Sequence, residues 1–187
     1  MCLLTTQICR RLYEHVFVHV PSNTRIHLGQ YVAGVLHYVL GVAAVLAEAP
    51  GFVEDGGRGR RLFNVTKLSW LDRTCGAIFM LAWLHQYKAH CIFANLRKDE
   101  SGAVVSERHA IPRGDWFEYV SCPHYLAEVV MYTCLAVILG PAHLSWLAVW
   151  FWVVSNQVGA ALMSHIWYRQ KFDDYPAQRR AILPYLL

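Results

Sequence analysis

Charged residues are scarce in this sequence, and several patterns that mark common protein classes do not occur in it. Only 16% of its 187 residues are charged, against about a quarter in a typical soluble domain. No run of five or more basic residues appears, so we expect no nucleic-acid partner. The six cysteines form no CxxC pair, and we interpret them as free thiols rather than as a disulfide framework or a metal site.

The first fifteen residues also lack the features of a signal peptide. MCLLTTQICRRLYEH has neither the basic start, the uninterrupted apolar stretch nor the small-residue cleavage site of a signal peptide. Such an opening is typical of the interior of a longer protein.

Hydrophobic residues are abundant instead, at 56% of the chain, and they gather in four blocks. A bilayer core is crossed by about 20 mainly apolar residues in a helix, and the blocks are 31–48, 73–96, 119–140 and 144–165. The polar stretches 49–71 and 97–115 are interpreted as loops, and the tail from 168 to 187 is polar and then apolar. The pattern predicts an all-α integral membrane protein, a multi-pass bundle with about four to five transmembrane helices.

The distribution of basic residues predicts how such a bundle is oriented. Four spans place the N-terminus, the 97–115 loop and the tail on one side, with eleven Lys and Arg residues against five on the other. Because cytoplasmic loops carry the excess of Lys and Arg, we expect the long loop and the tail to face the cytosol.

Polar side chains recur along one stripe of the second block. Gln86, His90 and Arg97 are spaced by four and seven residues, so they share one face of a helix. Ionisable groups inside a span are costly and mark functional sites, and the stripe ends in a guanidinium, which suits a phosphate. The alternative is that these groups only join helices through hydrogen bonds.

The third and fourth blocks also carry polar side chains at helical spacings. His124 and Glu128 are four residues apart, and a carboxylate in an apolar setting must find donors, such as ribose hydroxyls or a carboxamide. An ordinary Glu–His contact is the alternative. His165 and Tyr168 are three apart with Ser164 adjacent, and Gly114 lies in a turn where backbone could approach a ligand closely.

Two stretches carry a resemblance to a known family. IPRGDWFEYVSCPHYLAE, residues 111–128, resembles the motif IP-x-G-x-x-F-x-Y-V-S-x-P-N/H-Y/F-L-x-E in the C-terminal domain of the steroid 5α-reductases. The ending SHIWYRQKFDDYPAQRRAILPYLL resembles the closing motif of the same domain. GDWFEYVS and LHQYKAHCIFANLRK are similar to the polyprenal reductase branch of the family.

The resemblance implies a fold and a location. Members have six or seven membrane helices in the endoplasmic reticulum and hold NADPH in a cavity open to the cytosol. Here it implies an NADPH-binding membrane domain at 73–187, and an N-terminal membrane segment at 1–72 with one span and a lumenal loop. Because members extend about two helices further at the N-terminus, we expect an N-terminally short form: a fragment, an isoform or an incomplete gene model.

The resemblance also implies roles for individual residues. Glu128 and His124 match the pair beside the nicotinamide and its ribose and are predicted to be catalytic. The proton-donating tyrosine of the steroid-reducing branch falls at Ile8, and Tyr13 or Glu14 is the candidate to replace it. The predicted cofactor contacts are Gln86, His90, Arg97, His109, Gly114, His124, Glu128, Ser164, His165, Tyr168, Tyr175 and Arg179.

The expected reaction is NADPH-dependent reduction of the α,β-double bond of polyprenal to dolichal, in dolichol synthesis for protein N-glycosylation. The substrate would be an isoprenoid lipid within the bilayer, and no metal is expected. Reduction of a 3-oxo-Δ4 steroid or an enoyl lipid remains open as an alternative. So do an isoprenylcysteine-type membrane methyltransferase and a truncated isoform without catalysis.

Overall fold

The computed structural model describes residues 1–20, 27–48, 68–99, 101–104 and 109–187. That part of the chain is helical and has no β-strand beyond two isolated bridges, which confirms the all-α prediction. Five α-helices occur in it: α1 Cys2–Tyr13, α2 Leu28–Ala47, α3 Trp70–Asn95, α4 Pro123–Leu139 and α5 Leu144–Lys171. A π-helical turn, Glu14–Val18, continues α1, and a 3-10 turn, Asp115–Glu118, comes between α3 and α4.

Local sequence signals fix the helix ends around the core. Ser69 and Asp72 form a capping box that starts α3, since each side chain accepts a hydrogen bond from the other residue's backbone N–H at 3.0 Å. Pro123 occupies the first turn of α4, where its missing N–H costs nothing. Gly140, with φ of 84°, ends α4 in a conformation that other residues avoid.

Helices α3, α4 and α5 pack in sequence order as an antiparallel layer. Phe93 near the end of α3 meets His124 at the start of α4, with ring centroids 5.1 Å apart. Trp150 of α5 donates a hydrogen bond to Thr133 of α4 at 3.0 Å. The stacked rings of Tyr132 and Trp146, 5.4 Å apart and both buried, lie in the centre of the core.

Among the described residues, several polar and charged side chains are buried within the apolar core, while many large apolar side chains are exposed. Large apolar side chains such as Trp70 and Phe151 are 81% and 67% exposed. The buried polar and charged side chains are Gln7, Arg10, Glu14, Gln86, Ser121, Glu128 and Arg179. This arrangement suits helices surrounded by lipid, where polar groups face the bundle interior.

Helix length tests the predicted spans. Among the described residues, α5 alone is both long and apolar enough to cross a membrane, while Tyr31–Ala47 of α2 and α4 are apolar but shorter. The number of four spans therefore stays a prediction.

Two predicted block boundaries are wrong. Residues 119–122 are not helical but lie alongside residues 180–181: the N–H of Ser121 donates to the carbonyl of Arg180 at 2.8 Å, and that of Arg180 to Tyr119 at 3.1 Å. The fourth helix does not end near 165, because α5 continues to Lys171. Most of the predicted loop 49–71 lies outside the described residues.

The structure has a helix, α1, that the sequence analysis does not predict. Arg10 and Arg11 lie in α1, and Arg10 is only 5% exposed. The cytosolic side of this segment stays a prediction. Gln7, Arg10 and Glu14 follow one another at spacings of three and four residues and so share one helical face. That face packs against α3, so residues 1–48 contribute two helices, α1 and α2.

Candidate active site

A cavity of about 470 Å³ opens between the π-helical turn and the end of α3, within the range of about 300–1,000 Å³ usual for ligand pockets. His109, Ala110 and Tyr168 of α5 complete its wall. Its polar lining residues are Arg11, Glu14, His15, His19, His90, Arg97, His109 and Tyr168.

Positive charge dominates this wall. Among the described lining residues, Glu14 is the one acidic residue, and it is paired with Arg11 at 2.5 Å and with His90 at 2.9 Å. Arg97 uses one nitrogen, Nη1, to donate to the carbonyl of Val20 at 3.0 Å. Among the described residues, no hydrogen-bond partner is found for its other N–H groups, which can donate to a ligand. Guanidinium groups of this kind favour phosphate oxygens.

The pKa of His19 responds to the charged groups around the cavity. Partial burial lowers the pKa of His19, and the cationic groups of His15, Arg97 and Arg11 lower it further. A cluster of cations that disfavours one more positive charge will favour a bound anion for the same reason.

A buried polar network lies beside the cavity and joins three helices. Gln86 of α3 donates to Oε2 of Glu128 and to the carbonyl of His124, the latter at 3.0 Å. Gln7 of α1 donates to Oε1 of Gln86 at 2.9 Å and to Oε2 of Glu128 at 3.2 Å. Arg10 donates to the side-chain oxygens of both glutamines, at 2.7 Å for Gln7. Because two amide groups donate to Oε2 of Glu128, the network fixes the position of this carboxyl group.

His124 connects this network to the cavity. Its ring lies 5.9 Å from that of His90 and 5.1 Å from that of Phe93, both of which line the cavity. Its Nδ1 is buried and has no hydrogen-bond partner among the described residues. Since buried polar atoms are nearly always paired, this atom is a candidate contact for a ligand.

The tail forms a second cluster next to Tyr168. The hydroxyl of Ser121 lies 2.6 Å from Nδ1 of His165 and 2.6 Å from the hydroxyl of Tyr175. Tyr175 stacks on Tyr168 at 5.4 Å, and Tyr168 reaches the cavity wall. Buried Arg179 lies over the ring of Tyr175, at 5.6 Å. The cluster thus holds the tail against α5 and positions Tyr168.

The residues predicted as a site separate into groups. His90, Arg97, His109 and Tyr168 line the cavity, and Gln86, His124 and Glu128 lie beside it. Ser164, whose side chain contacts the Cys122 thiol, belongs with His165, Tyr175 and Arg179 to the tail cluster, which does not line the cavity.

Two predicted residues lie elsewhere. Gly114 has φ of 89°, and its N–H donates to Glu118 at 2.6 Å, so its need for glycine is conformational. Tyr13 is 49% exposed, packs on Phe17 at 5.1 Å and does not line the cavity. The roles of all these residues stay predictions.

Sequence reasoning missed the contribution of the N-terminal helices. Gln7 and Arg10 enter the buried network, and His15 and His19 line the cavity. The spacing of Gln7, Arg10 and Glu14 on one helical face was the available signal, as was the four-residue spacing of the two histidines. From α2, His37 comes within 3.9 Å of Glu128, and the sequence gives no comparable signal for it.

Comparison with known proteins gives consistent results. A family profile described as 3-oxo-5-alpha-steroid 4-dehydrogenase matches residues 63–187. Among curated relatives, polyprenal reductase of Xenopus tropicalis is 42% identical over 100% of this chain and 59% of its own length. The polyprenal reductase of Drosophila melanogaster is 41% identical over 99% of this chain and 56% of its own length. That of Homo sapiens is 42% identical over 95% of this chain and 55% of its own length. The chain thus spans less than two thirds of the length of these relatives.

Proposed function

The chain belongs to the 3-oxo-5-alpha-steroid 4-dehydrogenase family, and on that premise we propose that it reduces the α,β-double bond of polyprenal to dolichal with NADPH. Relatives that are about 40% identical over nearly all of this chain are named polyprenal reductases. The structural observation that carries the proposal is the cationic cavity lined by Arg97 and His90, with Glu128 and an unpaired nitrogen of His124 beside it.

The residues around the cavity fit a phosphate-bearing nicotinamide cofactor. Arg97 and Arg11 lie where they can hold phosphate oxygens, and ring N–H groups of the histidines at the wall can donate further hydrogen bonds. Oε2 of Glu128 is occupied by Gln7 and Gln86, which leaves its Oε1 to accept from a carboxamide or a ribose hydroxyl. When bound, NADPH supplies the hydride that adds to the β-carbon of the unsaturated aldehyde.

Hydride addition leaves an enolate, and the α-carbon then takes up a proton that comes ultimately from solvent. Until it does so, the protein must stabilise negative charge on the aldehyde oxygen. A hydrogen-bond donor aimed at that oxygen acts as an oxyanion hole does. Of the three residues predicted to be catalytic, His124 suits this role, because the tautomer protonated at Nδ1 has a free, buried donor. Glu128 holds the cofactor in the proposal, and Tyr13 would have to move from its half-exposed position to take part.

The outer surface suits a lipid substrate. Exposed apolar side chains cover α2 and α5, among them Val39, Phe151 and Met163. A polyprenyl tail could remain in the bilayer beside these helices while its aldehyde enters the site. We place the protein in the endoplasmic reticulum membrane, with the cavity on the cytosolic side that the basic residues predict.

The test uses the purified chain in lipid nanodiscs with NADPH and either polyprenal or a 3-oxo-Δ4 steroid. We expect NADPH consumption that depends on polyprenal, with dolichal detected in equal amount by mass spectrometry. The Glu128→Gln variant is the matched control and should consume NADPH much more slowly. Faster turnover of the steroid would contradict the proposed substrate, and turnover of neither would overturn the proposed activity for this chain.

A further inference from the structure

Residues 183–187 form a closed turn with apolar side chains on its outside, and we call them the apolar turn. The carbonyl of Leu187 accepts a hydrogen bond from the N–H of Leu183 at 2.7 Å, which closes the turn. The protein does not cover the side chains between them, since Tyr185 is 83% exposed and Leu186 82%. Contiguous apolar surface of this kind marks a contact site.

The length of α5 indicates where the surface of the bilayer lies. This helix is long and apolar enough to cross a membrane. Its 28 residues extend over about 42 Å, whereas the hydrocarbon core is about 30 Å thick. Because about 20 residues cross the core, a span that begins at Leu144 ends near Met163. The last residues of the helix, which include Arg169 and Lys171, therefore project about 12 Å beyond the core.

The tail folds back along this projecting part of α5. Ile182, directly before the apolar turn, is 1% exposed and forms a buried cluster with Ala161 of α5 and with Cys122. The N–H of Cys122, the residue that precedes α4, donates to the carbonyl of Ala181 at 3.2 Å. Ala161 lies about 3 Å along the helix axis before Met163. The tail thus returns the apolar turn to the level at which α5 leaves the bilayer core.

This position favours lipid as the partner of the apolar turn. Val129 of α4 and Val158 of α5 pack against the same buried cluster and are only partly buried, so the apolar surface continues onto the two helices. Interfacial segments bury apolar side chains about 5–10 Å into the boundary between headgroups and acyl chains, a level that tyrosine also favours. A specific protein interface buries roughly 800 Å² on each partner, more than a few side chains provide.

We propose that the apolar turn inserts into the bilayer at the headgroup boundary beside α5, with Tyr185 and Leu186 in contact with acyl chains. The tail is then held by lipid as well as by α4 and α5. It carries Tyr175, which stacks on Tyr168 at the cavity wall, so the lipid contact adjoins the cluster that positions Tyr168. The contact requires neither NADPH nor polyprenal, and its test is independent of the proposed function.

The test attaches a fluorescent label to the turn of the full chain in nanodiscs of phosphatidylcholine. Leu186→Cys is made in a Cys2→Ser/Cys9→Ser background, because Cys2 and Cys9 are the exposed cysteines, and it reacts with a thiol-specific NBD reagent. Gln170→Cys, exposed near the projecting end of α5, is the matched control. The background protein without an added cysteine corrects for labelling of the remaining thiols.

Two quenchers then distinguish lipid from water. Doxyl groups on the acyl chains should quench the label at position 186 at least about twofold more than the label at position 170, and iodide in the aqueous phase should show the opposite order. Equal quenching of the two labels by iodide would overturn the proposal. Protection of the label at position 186 from both quenchers would indicate a second copy of the chain on this surface, and would also overturn it.

The second measurement is amide hydrogen exchange of residues 180–187 in the same nanodiscs. In Leu186→Asp a carboxylate replaces the side chain that contacts the acyl chains, so the turn moves into water and its amides should exchange about tenfold faster. Gln170→Asp introduces the same charge at a site already in water and should leave this exchange unchanged. Exchange as fast in the wild type as in Leu186→Asp would show that the turn does not enter the lipid, and the proposal would fail.

Discussion

Replacing Arg97 by alanine removes the guanidinium that ends the polar stripe of α3 at the cavity wall. A hydrogen bond between charged partners contributes about 1.5–3 kcal/mol, so we expect NADPH affinity to fall about 10- to 150-fold. The change also leaves the buried carbonyl of Val20 without its donor. This costs some stability, so folding must be verified by the melting temperature before affinity is compared.

Affinity can be measured from quenching of tryptophan fluorescence as NADPH or NADH is added, at two salt concentrations. The matched control is Lys98→Ala, which removes a positive charge one residue along that does not line the cavity. A loss for NADPH alone would assign Arg97 to the 2′-phosphate, and an equal loss for NADH would assign it to the pyrophosphate. Unchanged affinity in a folded Arg97→Ala protein, or an equal loss in Lys98→Ala, would refute the phosphate role.

Three further predictions follow from the same geometry. Glu128→Gln gives Gln7 and Gln86 a neutral acceptor in place of a charged one, so the KM for NADPH should rise about tenfold; steady-state kinetics with an unchanged KM would contradict this. The pKa of His19 is lowered in the free protein, and a bound phosphate favours its protonated form, so binding should take up a proton. The affinity should weaken as pH rises from the pKa of His19 in the free protein to its higher pKa in the complex. Calorimetry in buffers of different ionisation enthalpy should show this uptake in the wild type and not in His19→Asn, and proton release would contradict the sign. Ser121→Ala removes the shared partner of His165 and Tyr175 and should lower the free energy of unfolding by about 1–3 kcal/mol, whereas Ser155→Ala on the exposed face of α5 should change it little.

Hydrophobic blocks alone predicted α2 to α5 well, because about 20 apolar residues in a row have few other stable structures. The errors arose where long-range backbone pairing competes with helix formation. Residues 119–122 are held by backbone hydrogen bonds to residues 180–181. No local sequence pattern indicates a partner so distant along the chain. The extension of α5 to Lys171 was missed because its last turn is polar, although Pro176 is the first residue there that excludes a helix.

The stripe on α3 was predictable from periodicity, since Gln86 and His90 must share a face once the segment is helical. The contribution of α1 was not recognised because two adjacent arginines are typical of a solvated segment. Burial of Arg10 is acceptable only because Gln7, Gln86 and the carbonyl of Trp83 receive its hydrogen bonds. Gln86 lies 76 residues further along the chain, and only the folded structure brings these partners together.

Glu48, at the end of α2, accepts a hydrogen bond from the backbone N–H of Ser145 at 2.6 Å and lies 3.5 Å from His143. It thereby caps the start of α5, the helix against which α2 packs. The two partners are 97 residues apart, which at about 5–20 residues per second means roughly 5–20 s of ribosomal synthesis. During that interval α2 has been synthesised and its final neighbour has not. The contact between Glu48 and Ser145 therefore forms only after most of the chain has been made.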